Sequence, residues 1–169
     1  LFRSAHGVAP ADAIAYGLVG CVEASVPGQQ MGMTAGGHLN CAKALELALN
    51  QGRSMLTGML IGTETPDPAG FSSIDDLWLA YRDQIDYLAG LNVLATHLAG
   101  EIQKQHGFCP LMSSLLDDCL ANRRDMVYGG TRYNLSGVAI FGSSNTCDGM
   151  MAIRKWIDEE KKLTWAELQ

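Results

Sequence analysis

The chain has 169 residues, 47% of them hydrophobic and 18% charged, enough to bury the core of one globular domain. A formal net charge of −6 and a pI near 5.1 exclude a phosphate-neutralising surface. They point away from nucleic acid and anionic membranes and toward a small molecule or another protein as partner. No apolar run approaches a membrane span, and the N-terminus lacks a charged-then-apolar signal pattern.

Five cysteines, at 21, 41, 109, 119 and 147, form no C-x-x-C pair and are odd in number, so neither a disulfide framework nor a zinc knuckle is expected. A reducing cytoplasm fits that usage. His6, His38, His97 and His106 show no H-x-x-x-H or H-E-x-x-H spacing, and no metal site is expected. The chain begins at Leu1, without an initiator Met, in sequence that reads as mid-domain. The expectation is therefore a piece of a longer protein.

Pro10 to Tyr16 reads as a short helix, with Pro in its first turn and Gly17 as its stop. Leu18-Val19-Gly20-Cys21-Val22 reads as a short buried strand. If the backbone is extended there, Cys21 and Glu23 share a face and Val22 turns away. A thiol then lies beside a carboxylate, either a catalytic pair or a buried Cys with a solvated Glu. Ser25 to Leu39, with Gly28, Gly32, Gly36 and Gly37, reads as one long loop, and long ordered loops usually serve function. Asn40 caps a helix over Cys41 to Gln51, and Gly52 ends it.

Ser54 to Gly62 reads as extended, and Thr65 to Gly70 as a turn-rich connector. Ser72 and Ser73, followed by Asp75 and Asp76, announce a helix over Ile74 to Gln105 that Gly90 and Gly100 could interrupt. Its apolar stripe is Leu77, Tyr81, Ile85, Leu88, Leu91, Leu94, Leu98 and Ile102. Leu111 to Asn122 reads as another helix, on which Asp117-Asp118 forms a solvated face. Tyr128 to Gly137 is glycine-rich, Val138 to Phe141 apolar, and Asp148 to Lys162 a final helix. Thr164 to Glu167 starts one more capped helix. The alternation favours α/β, with a parallel sheet or part of a barrel.

Gly20-Cys21-Val22-Glu23, followed by a Pro-Gly loop and by Leu45 to Gly52, resembles the thiyl-radical region of the glycyl radical enzymes, the pyruvate formate-lyase superfamily. The likeness is to the dehydratase, lyase and decarboxylase branches, which carry Cys-x-Glu. It continues through Ser73-Ile74-Asp75-Asp76-Leu77-Trp78-x-Ala80-Tyr81 with Gln84, then Asp117-Asp118-Cys119 and Gly129-Gly130-x-x-Tyr133-Asn134. Asn145-x-x-Asp148 and Glu159-Glu160-Lys161-Lys162 complete it, in the family's order over nearly the whole chain.

The resemblance implies an α/β fold that is part of the glycyl radical enzyme barrel, parallel half-barrel strands with surrounding helices, with residues 1–169 as a partial catalytic domain. It implies that Cys21 carries a thiyl that removes hydrogen from a substrate carbon, and that Glu23 takes the adjacent hydroxyl proton. A raised pKa in a water-poor barrel would suit Glu23 to that exchange. Thr34 and His38 are the pocket-facing candidates of the loop, with loop-stabilising roles as the alternative. No bound cofactor is implied; the radical is a protein glycyl, installed by a radical SAM activating enzyme, and its R-V-x-G-Y/F-like loop is absent from these residues. The isolated chain is therefore expected to be inactive. The implied partners are a small-molecule substrate, the activase and a second copy in a full-length homodimer, in the cytoplasm or a bacterial microcompartment.

Three departures bear on substrate. Ala35 stands where glycerol dehydratases carry a substrate-binding Asp, Thr34 matches a Thr of choline lyase, and Ala24 replaces the usual Pro. The leading expectation is an eliminase cleaving C–O, C–N or C–S bonds of a small hydroxylated substrate. An arylacetate decarboxylase of the same superfamily, a Cys21–His38 hydrolase and a non-catalytic assembly fragment stand as alternatives.

Overall fold

The computed structural model describes residues 7–20, 23–31 and 35–168. They form two compact units, one built from residues up to Gly37 with Leu94–Ala139, the other from His38–Val93 with Ile140–Gln169.

The first unit opens with α1 (Pro10–Ile14) and then β1 (Gly17–Val19) and β2 (Glu23–Ser25). These strands pair antiparallel, with Gly17 opposite Ser25 and Val19 opposite Glu23. Of the single buried strand expected over 18–22, residues 18 and 19 are described, and they form a hairpin arm whose apolar side chains are bare: Leu18 is 66% and Val19 45% exposed. Its core is small, with Val8, Val26, Cys119 and Val127 buried. The helix expected over 111–122 is only α4, Pro110–Ser114. A continuing helix would give the Asp117 amide to Ser113; instead it donates to the Gly28 carbonyl at 2.7 Å, and Asp118 turns left-handed at φ 72. A tertiary bond wins over helix propensity here.

In the second unit, β3 (Gly37–Asn40) leads directly into α2 (Cys41–Leu49), and the Asn40 Oδ1 cap accepts from the Lys43 amide at 3.1 Å. The segment expected as one loop over 25–39 therefore begins and ends in strands. β3 pairs with β4 (Val138–Phe141). The Gly36 amide bonds the Gly137 carbonyl ahead of both strands, and Gly142 abuts Asn40 and Ala42 after them, so the pair is parallel. Ser54 to Gly62 is not extended: the Ser54 amide bonds Met59 and the Gly62 amide bonds Gly52, folding the segment back on itself.

The long helix α3 (Ile74–His106) runs without interruption through Gly90 and Gly100. Asp76 Oδ2 accepts from the Ser72 amide and hydroxyl, both at 2.7 Å, as the sequence leads one to expect. Asp158 adds a cap by accepting from the Ile74 amide at 3.0 Å. Of the expected stripe only Leu77 is buried, alongside Ala80 and Gln84 from outside it; Leu91, Leu94, Leu98 and Ile102 are exposed. The core joins Leu45, Ala48, Leu77, Ala80, Ile153, Ile157 and Trp165. The last helix, α5 (Ser143–Ile153), starts five residues earlier than expected because left-handed Gly142 (φ 72) turns the chain directly out of β4. A π-helical turn, Arg154–Glu159, follows, and Lys161 at φ 52 ends it. The capped helix expected at Thr164 is a single 3₁₀ turn, Trp165–Glu167, closed by a reciprocal Thr164–Glu167 capping box.

Candidate functional site

The sequence-derived site centres on the β1–β2 hairpin. Register places Val19 opposite Glu23, with Gly20 directly after β1. Gly20 holds a left-handed φ of 63. A Cβ there would lie 2.6 Å from Glu23 Oε2 and 3.1 Å from its Cδ, so the carboxylate folds back over the Gly20 backbone. Glycine is thus demanded twice, by the dihedral and by the close approach of the carboxylate. Glu23 is half-buried and stands at the start of β2.

Cys21 and Thr34 lie outside the described residues, so the expected sharing of one strand face by Cys21 and Glu23 is not described either. His38 is described, on β3 rather than in a loop. Its amide donates to Asn92 Oδ1 at 3.0 Å, and its exposed ring stacks on Phe141 with centroids 5.3 Å apart and planes at 24°. Glu23 and His38 belong to different compact units.

The hairpin runs into a tight turn. The Gln29 and Gln30 amides both donate to the Val26 carbonyl, and buried Gln30 returns the bond by accepting the Val26 amide on Oε1 at 3.3 Å. Gln30 then bridges Tyr133 in parallel. Elsewhere in that unit Cys119 is buried, and burial, with the nearby charges of Asp125 and Asp118, pushes its thiol above the ordinary range. In the other unit, burial and the Cys41 thiol push the Tyr81 phenol up to about 12, against a hydroxyl bond from Thr146. Both groups therefore stay protonated near neutrality. Among the described residues no group of three or more His, Cys, Asp and Glu could hold a metal ion. None of their helices is long and apolar enough to cross a membrane.

Sequence reasoning paired Tyr133 with Asn134 only as part of a motif and gave Arg132 no role. Arg132 reaches Asp118 only 14 positions back, but its bond to Gln29 and those of Tyr133 to Ala9 and Asp12 cross more than a hundred positions, beyond any spacing signal. The Gly129-Gly130 pair preceding them was the legible clue: a Cβ at Gly130 would overlap the Arg124 carbonyl, so the backbones meet there directly.

A model of the pyruvate formate lyase-like family matches residues 2–169. Trans-4-hydroxy-L-proline dehydratase of Clostridioides difficile is 34% identical over 151 residues, 89% of this chain and 19% of that protein. Isethionate sulfite-lyase of Nitratidesulfovibrio vulgaris is 30% identical over 167 residues, 96% of this chain and 20% of that protein. Among solved structures, the glycerol-bound form of the B12-independent glycerol dehydratase from Clostridium butyricum superposes with a TM-score of 0.89 at 29% identity, covering 98% of this chain and 21% of that one. The chain thus spans about a fifth of the length of these relatives. With a family model matched from residue 2 to the last residue and a superposition that takes in nearly every element described above, the chain belongs to the pyruvate formate lyase-like family, as a fragment of its barrel fold.

Proposed function

We propose that these residues are the hydrogen-transfer segment of a glycyl radical eliminase acting on a small hydroxylated compound. The observation that supports this best is the hairpin itself, in which Gly20 lets the Glu23 carboxylate fold over the backbone next to Cys21 in sequence. Relatives named as dehydratases and sulfite-lyases support elimination as the reaction class.

Cys21, as a thiyl, removes a hydrogen atom from the carbon bearing the hydroxyl, breaking C–H and forming S–H. The Glu23 carboxylate takes the hydroxyl proton. The resulting ketyl expels the neighbouring leaving group with its electron pair, and the product radical recovers hydrogen from the Cys21 thiol. The unpaired electron comes from a protein glycyl outside these residues, and its installation calls for a radical SAM activating enzyme. The bare apolar face of Leu18 and Val19 suits a hairpin that meets another part of a longer polypeptide. That polypeptide acts as a homodimer in the cytoplasm, with residues 1–169 as one part of its catalytic domain. Thr34 lines the substrate pocket beside the thiyl. His38, exposed on β3, is the weaker pocket candidate.

The test uses the polypeptide that carries this chain at the relatives' length, activated without oxygen. Cys21→Ala abolishes product while the glycyl radical signal persists in electron paramagnetic resonance. Glu23→Gln lowers kcat by about 10²- to 10⁴-fold, the usual contribution of a positioned base. Turnover by Cys21→Ala at the native rate overturns the assignment.

A further inference from the structure

The hairpin is an excursion whose two ends return to one place. Ahead of it, Tyr133 Oη accepts from the Ala9 amide at 3.1 Å and donates to Asp12 Oδ2 at 2.7 Å, fastening α1. Behind it, the Tyr133 amide donates to the Gln29 carbonyl at 3.0 Å, and the Tyr133 carbonyl accepts from the Met31 amide at 3.4 Å. The neighbouring Arg132 does the same with charge. Its Nε and Nη2 form a fork on Asp118 at 3.0 and 3.2 Å, its Nη1 donates to Gln29 Oε1 at 3.2 Å, and Asp12 Oδ2 lies 3.8 Å away.

Residues 9–12 and 29–31 are thus tied to a single dipeptide, and the hairpin of residues 17–25 is the stem between them. The stem needs such a tie. Leu18 and Val19 stay exposed among the described residues, so what these residues themselves give the stem is the directed bonding on its flanks. An apolar contact would fix its depth loosely, whereas directed bonds on the segments that flank it, residues 9–12 and 29–31, restrict how it can shift and tilt.

We propose that Arg132 and Tyr133 are positioning residues for the Cys21–Glu23 pair, setting the geometry from which hydrogen is abstracted. This rests on the function proposed above. Neither side chain is required to touch substrate; both act through the hairpin. Hydrogen transfer is steeply sensitive to placement, and a displacement of about 1 Å can cost about 10²-fold in rate.

The test compares Tyr133→Phe, Asp12→Ala, Asp12→Asn and Cys21→Ala in the activated full-length polypeptide. Amide hydrogen exchange is read first because it needs no substrate. Tyr133→Phe speeds exchange at the hairpin amides of residues 17–25 at least tenfold and leaves α3 unchanged. Asp12→Ala does the same, Asp12→Asn keeps an acceptor and restores slow exchange, and the Tyr133→Phe/Asp12→Ala double variant is no faster than either single one. With trans-4-hydroxy-L-proline, glycerol and isethionate as substrate probes, any probe that the native protein turns over shows a kcat at least tenfold lower in Tyr133→Phe. Its KM stays within twofold, and the glycyl radical content is unchanged. Hairpin exchange at the native rate in Tyr133→Phe, or exchange raised equally throughout the unit, overturns the positioning role. Turnover by Cys21→Ala overturns the proposed function instead and leaves the exchange result standing, so the two failures are distinct.

Discussion

Of the two glycines described in the hairpin, Gly20 has less freedom to change than Gly17, because its left-handed φ and the Glu23 carboxylate both exclude a side chain. Gly20→Ala forces a Cβ into a left-handed backbone, at about 1–2 kcal/mol, and drives it against the Glu23 carboxylate. The expected outcome is a stability loss of about that size by urea unfolding, with a disproportionate fall in kcat as the carboxylate is pushed off the turn. Equal losses in a remote surface glycine variant such as Gly58→Ala would show that only the dihedral matters. At this scale the sequence was informative where chemistry is local. Cys21 and Glu23 stand two apart and announce themselves. The reach of Tyr133 to Ala9 and Asp12 spans more than 120 positions and leaves no periodic trace. The placement of His38 was misjudged for a related reason: the glycine-rich composition of residues 25–39 suggested a loop, while the pairing that makes it a strand comes from Val138–Phe141.

Among the elements, α2 and the start of α3 were legible because their signals are local, the Asn40 cap and the Ser72–Asp76 bonds. The ends of α4 and α5 were not, because long-range bonds and a left-handed glycine decide them. Gln84 shows the same contrast. It is fully buried on α3, its Nε2 donates to the Thr63 carbonyl at 2.6 Å, and its Oε1 accepts the Thr63 amide at 3.1 Å. The side chain thus pairs with a peptide unit as a strand would, and holds the folded-back loop that follows α2. Gln84→Leu leaves the half-buried Thr63 amide and carbonyl without this partner and is expected to cost about 2 kcal/mol, the low end of about 1–3 kcal/mol for each orphaned group. Urea titration should show a lower midpoint with an unchanged m-value.

For the molecule as a whole, acid is the informative perturbation. The Ser72 hydroxyl and amide hold Asp76 below its ordinary value of 3.8, and the Arg132 fork does the same for Asp118. Lys104 lowers Glu101, Lys162 lowers Glu160, and the Thr164 amide and hydroxyl lower Glu167, each from an ordinary 4.5. A carboxylate depressed in the folded state binds fewer protons there than when unfolded. Its contribution is complete above the ordinary values and is lost as pH falls through the depressed ones. The melting temperature is therefore expected to be level from pH 8 to about 5 and to fall steadily below about 4.5, as thermal scans in matched ionic strength would record. The Arg132–Tyr133 tie also dictates a schedule. A ribosome adds about 5–20 residues per second, so roughly 5 to 20 s separate the synthesis of Met31 from that of Tyr133. Throughout that interval the nascent hairpin has its strands but lacks their anchor, and the placement of its thiol and carboxylate becomes a late event in the birth of the protein.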